Sequence, residues 1–303
     1  MGDEAKTTAK GAEPAMPAGR GVLPGLLLDY AARSERSARP ANEDRYLVVR
    51  LDRATTPLAT NIEPEQLTYV AAQSAWGLAV ADGMGGHAAG EVASTLALGL
   101  ALQLAQHGAR WYVDIGEAEA RELIDRAGRI IRQVDRKIAE RGQHSPEWSG
   151  MGTTLTVAVL YGDRAFLYHV GDSRAYVLRQ DHLRRLTRDH TIAQELADAR
   201  LIASDEVGRH HTRHLLTQAM GRGDVAVEVQ QFRLEDGDRL LLATDGLTDV
   251  VAEDALKRLL AHGSAQTACA ALVERALKAG VRDNVTAVVA DVRLDRGGQP
   301  ADA

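Results

Sequence analysis

The sequence predicts an α+β chain in which antiparallel sheets are flanked by helices. Three observations predict it: short apolar runs rich in β-branched residues, helix-periodic segments grouped in blocks, and two-residue turn signals between consecutive runs. Strands are predicted at Tyr46–Val49 and Trp76–Ala81, with the loose segment 51–66 (LDRATTPLATNIEPEQ) between them as a long surface loop. Helices follow over Glu91–Gln106 and Glu117–Arg141. In the second, Leu123, Ala127, Ile130, Ile131, Val134 and Ile138 recur at three and four and mark one buried face. Thr154–Leu160, Ala165–Gly171 and Ala175–Leu178 are strands again. Gly162-Asp163 and Gln180-Asp181 read as hairpin turns, which makes the middle of the chain an antiparallel meander. A helix over Ile192–Ala199, strands over Val225–Phe232 and Arg239–Ala243, helices over Glu253–His262 and Ala265–Ala279, and a strand over Val285–Val292 complete the series. Because the helices do not alternate with the strands, a doubly wound parallel sheet is excluded.

The 303 residues form one domain from about Leu26 to Asp295, between tails at 1–25 and 296–303 rich in Ala, Gly and Pro. Lys+Arg of 36 against Asp+Glu of 42 gives a net charge of -6, so no basic field draws in nucleic acid. Cys269 is the only cysteine, which excludes an internal disulfide and a cysteine-built zinc site and suits a reducing compartment. The first residues lack an apolar core for a secretory signal, and Lys6 stands where acylation of Gly2 wants Ser or Thr. The most apolar stretch, Ala93–Ala105, is too short to span a bilayer, which takes ~20 residues. A soluble, cytoplasmic monomer is expected.

Five aspartates fall at strand ends. Asp82, Asp172 and Asp245 each follow an apolar run, and Asp44 and Asp283 stand just before one. Any one of them alone reads as a turn residue capping its own backbone. Ionised carboxylates gathered in one place repel each other strongly and are tolerated with cations between them. All-oxygen ligation selects Mg²⁺ or Mn²⁺, with Ca²⁺ possible, over zinc or copper.

The segments ARPANED (38–44), AVADGMGGHAAGEVAS (79–94), MGTT (151–154), HVGDSRAY (169–176), LTRDHT (186–191), LLATDGLTD (241–249) and RDNVT (282–286) together resemble the metal-dependent protein phosphatase family, type 2C, in its bacterial form. The resemblance spans nearly the whole core. It implies a four-layer αββα sandwich, two antiparallel sheets with helix pairs outside, and a metal cleft at one edge. It also implies that Asp82 bridges two Mn²⁺ or Mg²⁺ ions, with the Gly83 carbonyl and Asp44 on one side and Asp245 and Asp283 on the other. Glu43 would contact a metal-bound water, Asp172 with Asp245 would hold a third ion, and Arg39 would bind the phosphate. Thr153, Thr154, Ser173 and Asn284 would orient the carboxylates. Residues 188–222 take the position of a flap over the cleft. Its Arg200, Arg209, Arg213 and Arg222 suit anionic phosphopeptides, though a solvated charged face reads equally well.

The chemistry asks for these residue types. Two metals ~3.5–4 Å apart share a water, lower its pKa and aim it at phosphorus, so no protein nucleophile is required. A guanidinium at Arg39 forks onto two phosphate oxygens. Met84 stands where eukaryotic relatives place a histidine acid, leaving proton delivery unassigned. His87 reads as structural. His190 and the run His210-His211-Thr212-Arg213-His214 lack the ligand spacing of a transition-metal box. The expected activity is hydrolysis of phosphoserine and phosphothreonine in proteins, opposing a bacterial-type serine/threonine kinase. A silent pseudophosphatase that binds phosphoproteins is one rival, and the complete set of Asp44, Asp82, Asp245 and Asp283 opposes it. A two-metal nuclease is another, and neither a basic groove nor a Lys-Ser/Thr ending after Gly83–Gly86 supports it.

Overall fold

The computed structural model describes residues 25–54, 72–85, 89–108 and 116–295. The predicted tails, most of the 51–66 loop and His87 lie outside the described residues; Gly25, expected in a tail, opens the first strand.

One five-stranded antiparallel sheet runs β1 (Gly25–Glu35), β12 (Val285–Asp295), β11 (Arg239–Ala243), β8 (Arg174–Arg179), β9 (His182–Arg185) in spatial order. The other runs β10 (Glu228–Arg233), β7 (Arg164–Val170), β6 (Leu155–Tyr161), β3 (Ala72–Ala81), β2 (Arg45–Ala54). A short ladder pairs β4 (Gly83–Met84) with β5 (Gly152–Thr153). The period of two along each strand divides its side chains between two cores. Leu240 and Leu242 of β11 meet Val288 and Ala290 of β12 and Leu78 and Val80 of β3 between the sheets. Leu241 and Ala243 face the other way, onto Leu256 and Leu260 of α5 (Glu253–Leu260) and Leu272 and Val273 of α6 (Ala265–Lys278). On the opposite outer face, Phe166, Tyr168 and Val170 of β7 pack with α1 (Ala89–Gly108) and α2 (Glu117–His144) through Ala93, Ala97, Ile131, Val134 and Ile138. Three apolar layers therefore separate four layers of secondary structure, and the fold is an αββα sandwich. Among the described residues no helix is long and apolar enough to cross a membrane.

Two strands escape the sequence pattern. β1 carries Asp29, Arg33 and Ser34 with little β-branching, and it is a strand because all eleven residues pair with β12. β9 is HLRR, with Leu183 its one apolar residue, and is formed by the turn at Gln180-Asp181, both with positive φ, which sets Arg179 opposite His182. The run Val225–Phe232 begins its pairing three residues late, at Glu228. The expected central meander is not one sheet. The hairpin β6–β7 belongs to one sheet and β8–β9 to the other, and the chain crosses between them through Gly171–Ser173. Gly171 makes that crossing at φ 107, where a Cβ would also lie 2.6 Å from Thr154. Asp172 stands at the crossing point.

Candidate active site

Chain crossings and strand ends gather at one edge of the sandwich, and the acidic residues come with them. Asp44 precedes β2, Asp82 separates β3 from β4, Asp172 sits at the crossover, and Asp283 lies in the loop entering β12. Asp245 does not end a strand as expected. Thr244 follows β11, and Asp245 opens the one-turn helix α4 (Asp245–Thr248). Gly246 lets that turn press on the β12 loop, since a Cβ there would stand 1.9 Å from the Asn284 carbonyl oxygen. Arg39, Glu43, Asp82, Gly83, Asp172, Asp245 and Asp283 line a cleft of about 900 Å³, with Met84 on its wall. Asp44 lies behind this lining, 2% exposed.

Asp44 Oδ2 accepts the hydroxyls of Thr244 (2.8 Å) and Thr286 (2.7 Å). Asp44 Oδ1 and Asp245 Oδ1 are buried and, among the described residues, have no hydrogen-bond partner. Burial pushes Asp44 up to about 7 against the pull of the two threonine hydroxyls, and Asp245 and Asp283 add to the rise. Burial, then Asp249 and Asp283, push Asp245 up to about 6. Asp82 and Asp172 are driven upward by burial and by the charges of their carboxylate neighbours. Unpartnered buried oxygens in a self-repelling, all-oxygen cluster fit hard divalent cations.

The predicted supporting residues act on the backbone. The Thr153 hydroxyl donates to the Asp82 carbonyl at 2.8 Å, and the Thr154 hydroxyl accepts the Asp82 N–H at 2.9 Å while pairing with Ser173. Asn284 accepts the Glu43 N–H and donates to the carbonyls of Arg36 and Ala41, which pins the loop carrying Arg39 and Glu43. The hydroxyls that do orient a carboxylate are Thr244 and Thr286. Both lie within recognised segments, directly before Asp245 and two residues after Asn284, but nothing in sequence showed them aimed at Asp44. Arg39, expected to bind phosphate, donates its Nε and Nη2 to Oδ1 and Oδ2 of Asp283 at 2.9 and 2.6 Å.

The histidines divide. His190 Nδ1 accepts the Gly171 N–H and its Nε2 faces Glu228 at 3.5 Å, while His169 bonds the Thr156 hydroxyl and the Arg188 carbonyl. Burial and the neighbouring His190 push His169 down to about 4, which keeps that ring neutral, and the two histidines join the crossover to the flap. His214, by contrast, lines the cleft and stands 3.5 Å from Asp249 and 3.9 Å from Asp245. With those two carboxylates it is close enough to share an ion.

The segment 188–222 holds α3 (Ile192–Asp198), capped by the Thr191 hydroxyl, and a 3₁₀ turn at Ser204–Arg209. Leu215, Leu216 and Arg222 reach the cleft, and Arg222 is clasped by the carbonyls of Leu216 and Thr217. Its far end is tied down by a residue that sequence reading assigned to no role. Asp135 of α2, fully buried, accepts the N–H groups of Gly221, Arg222 and Val225 at 2.6, 3.1 and 3.0 Å. Its signal was a charge inside the apolar stripe of α2. Asp135→Ala strands three donors and is expected to cost about 3 kcal/mol in a urea titration. Proteolytic cleavage within 188–222 should quicken with it.

A family profile described as protein phosphatase 2C matches residues 65–282. The serine/threonine protein phosphatase PstP of Mycobacterium tuberculosis (strain ATCC 25618 / H37Rv) is 36% identical over 267 residues, covering 88% of this chain and 45% of the relative. This chain thus spans less than half of that protein. The serine/threonine phosphatase stp of Listeria innocua is 32% identical over 224 residues, covering 73% of this chain and 86% of the relative. The crystal structure of the PstP catalytic domain in complex with two manganese ions superposes with a TM-score of 0.70 at 34% identity, over 89% of this chain and 100% of that one.

Proposed function

We propose, from the premise that this chain belongs to the protein phosphatase 2C family, that it hydrolyses phosphoserine and phosphothreonine in proteins with Mn²⁺ or Mg²⁺ as cofactor. The observation that carries the reading is the buried carboxylate cluster at the cleft, with two oxygens that lack partners among the described residues. Asp44, Asp82, the Gly83 carbonyl, Asp245 and Asp283 would hold two ions, Asp172 with Asp245 a third, and Glu43 a bound water. Such ions, when bound, supply a water acidic enough to attack phosphorus at neutral pH.

The chain's own residues do the rest. Thr244 and Thr286 fix one oxygen of Asp44 and leave the other to face the cluster. Thr153 and Thr154 hold Asp82 by its main chain, so its carboxylate is positioned without using its own oxygens. Arg39 at the rim would fork onto two phosphate oxygens and stabilise the charge that builds on them. Arg222 and Leu215 on the flap would meet the peptide beside the phosphate. The substrates would be products of a bacterial-type serine/threonine kinase, in line with the bacterial relatives. The lone, buried Cys269 suits the cytoplasm.

Turnover of p-nitrophenyl phosphate and of a phosphothreonine peptide tests this. Activity with Mn²⁺ is expected to vanish on adding EDTA and to fall at least ~10²-fold in Asp245→Ala. Activity that survives both treatments would rule the metal reading out.

A further inference from the structure

Arg39 and Asp283 hold each other, and that contact stands across both of the roles given to them above. The Arg39 fork takes both oxygens of Asp283, and Oδ1 also accepts the Asn284 N–H at 2.8 Å. Oδ1 thus already has two donors, and an ion at Oδ2 would press against a guanidinium nitrogen 2.6 Å from that oxygen. The cation engaged with Asp283 is the one that would grip the phosphate. The Arg39 side chain is 56% exposed and that of Asp283 40%, so exchange of partners takes place at a solvated rim. The loop behind Arg39 stays fixed, because Asn284 donates to the Arg36 and Ala41 carbonyls and the Arg36 guanidinium donates to the Pro40 carbonyl. Only the side chain has to swing.

We infer that Arg39 is a built-in competitor for the ion site at Asp283, displaced by the incoming metal and thereby released to bind phosphate. This rests on the phosphatase reading. It makes assembly of the site ordered: the ion at Asp245 and Asp283 first, the phosphorylated substrate second. A protein short of metal would then lack both its activated water and its phosphate clamp.

Chelator competition on the Mn²⁺-loaded full chain, in phosphate-free buffer with released Mn²⁺ read by electron paramagnetic resonance, tests it without relying on activity. Arg39→Ala should retain its more weakly held ion roughly 3- to 10-fold better than wild type, since an exposed charged competitor is gone. Arg222→Ala, which removes another cleft cation whose guanidinium, among the described residues, bonds carbonyls and no carboxylate, should change retention by less than Arg39→Ala does. Asp283→Asn should release one ion at lower chelator. If Asp283→Asn loses an ion while Arg39→Ala retains Mn²⁺ no better than wild type or than Arg222→Ala, the competition is overturned and the ligand role of Asp283 stands. If Asp283→Asn holds Mn²⁺ as wild type does, the ligand role fails and takes the competition with it.

Discussion

Asp82→Asn should lower kcat on p-nitrophenyl phosphate by roughly 10³-fold, the scale on which loss of one charge-stabilising group acts in a preorganised site. The substitution is nearly isosteric. Thr153 and Thr154 hold residue 82 through its carbonyl and N–H, and those bonds do not depend on the carboxylate. The fold should therefore survive with unchanged circular dichroism, so that lost activity reports lost charge and ligation. Asp82 has Asp44, Asp245, Asp172 and Asp283 as electrostatic neighbours, the same carboxylates that would share ions with it. It is the natural bridge. The number of Mn²⁺ ions retained should fall with the rate, and a variant that keeps wild-type kcat would remove Asp82 from the mechanism.

The second large effect is a pH-dependent stability that metal reverses. Asp44 is pushed from 3.8 up to about 7 and Asp245 from 3.8 up to about 6, both chiefly by burial. In this window the folded chain holds protons that the unfolded chain has released. Their contribution is thus fully present below about pH 4 and is lost as pH rises through 6 to 7. Chelated protein should therefore be less stable at pH 8 than at pH 5, by on the order of several kcal/mol, and unfold at a lower temperature. Mn²⁺ binds the deprotonated cluster and should abolish the fall, so that its stabilising effect is larger at pH 8 than at pH 5. Asp44→Asn should flatten the profile of the chelated protein. A chelated wild type that gains stability from pH 5 to 8 would mean that these carboxylates are not crowded as described.

What was legible in sequence was what local pattern controls. Short apolar runs rich in β-branched residues marked the buried strands β3, β6, β7, β8, β11 and β12, which are covered on both faces, and spacing at three and four marked α2, α5 and α6, because burial on one face of a helix leaves a periodic trace. The acidic positions were legible because carboxylates at strand ends, within several recognisable segments, are a compound signal. β1 and β9 were not legible: their strand character comes from a partner distant in sequence or from a turn that fixes register. The sheet switch at Gly171–Ser173 was hidden for a similar reason, since two successive hairpins look alike whether they share a sheet or not. Thr244 and Thr286 were visible as residues, but their aim at Asp44 spans 200 and 242 positions. The pairing of Arg39 with Asp283, 244 positions apart, and the clamp of Asp135 on the flap are long-range in the same way. Hydrogen bonds of that kind leave no period behind them.

Everything in this mechanism depends on the carboxylates from Asp44 to Asp283 converging to hold a pair of divalent ions. Anomalous diffraction at the manganese edge from crystals grown with Mn²⁺ tests it most directly. Two strong peaks are expected in the cleft, with Asp82 reaching both, Asp44 and the Gly83 carbonyl on one, and Asp245 and Asp283 on the other. Manganese absent from that cleft, or bound only around His214 and Asp249, would contradict it.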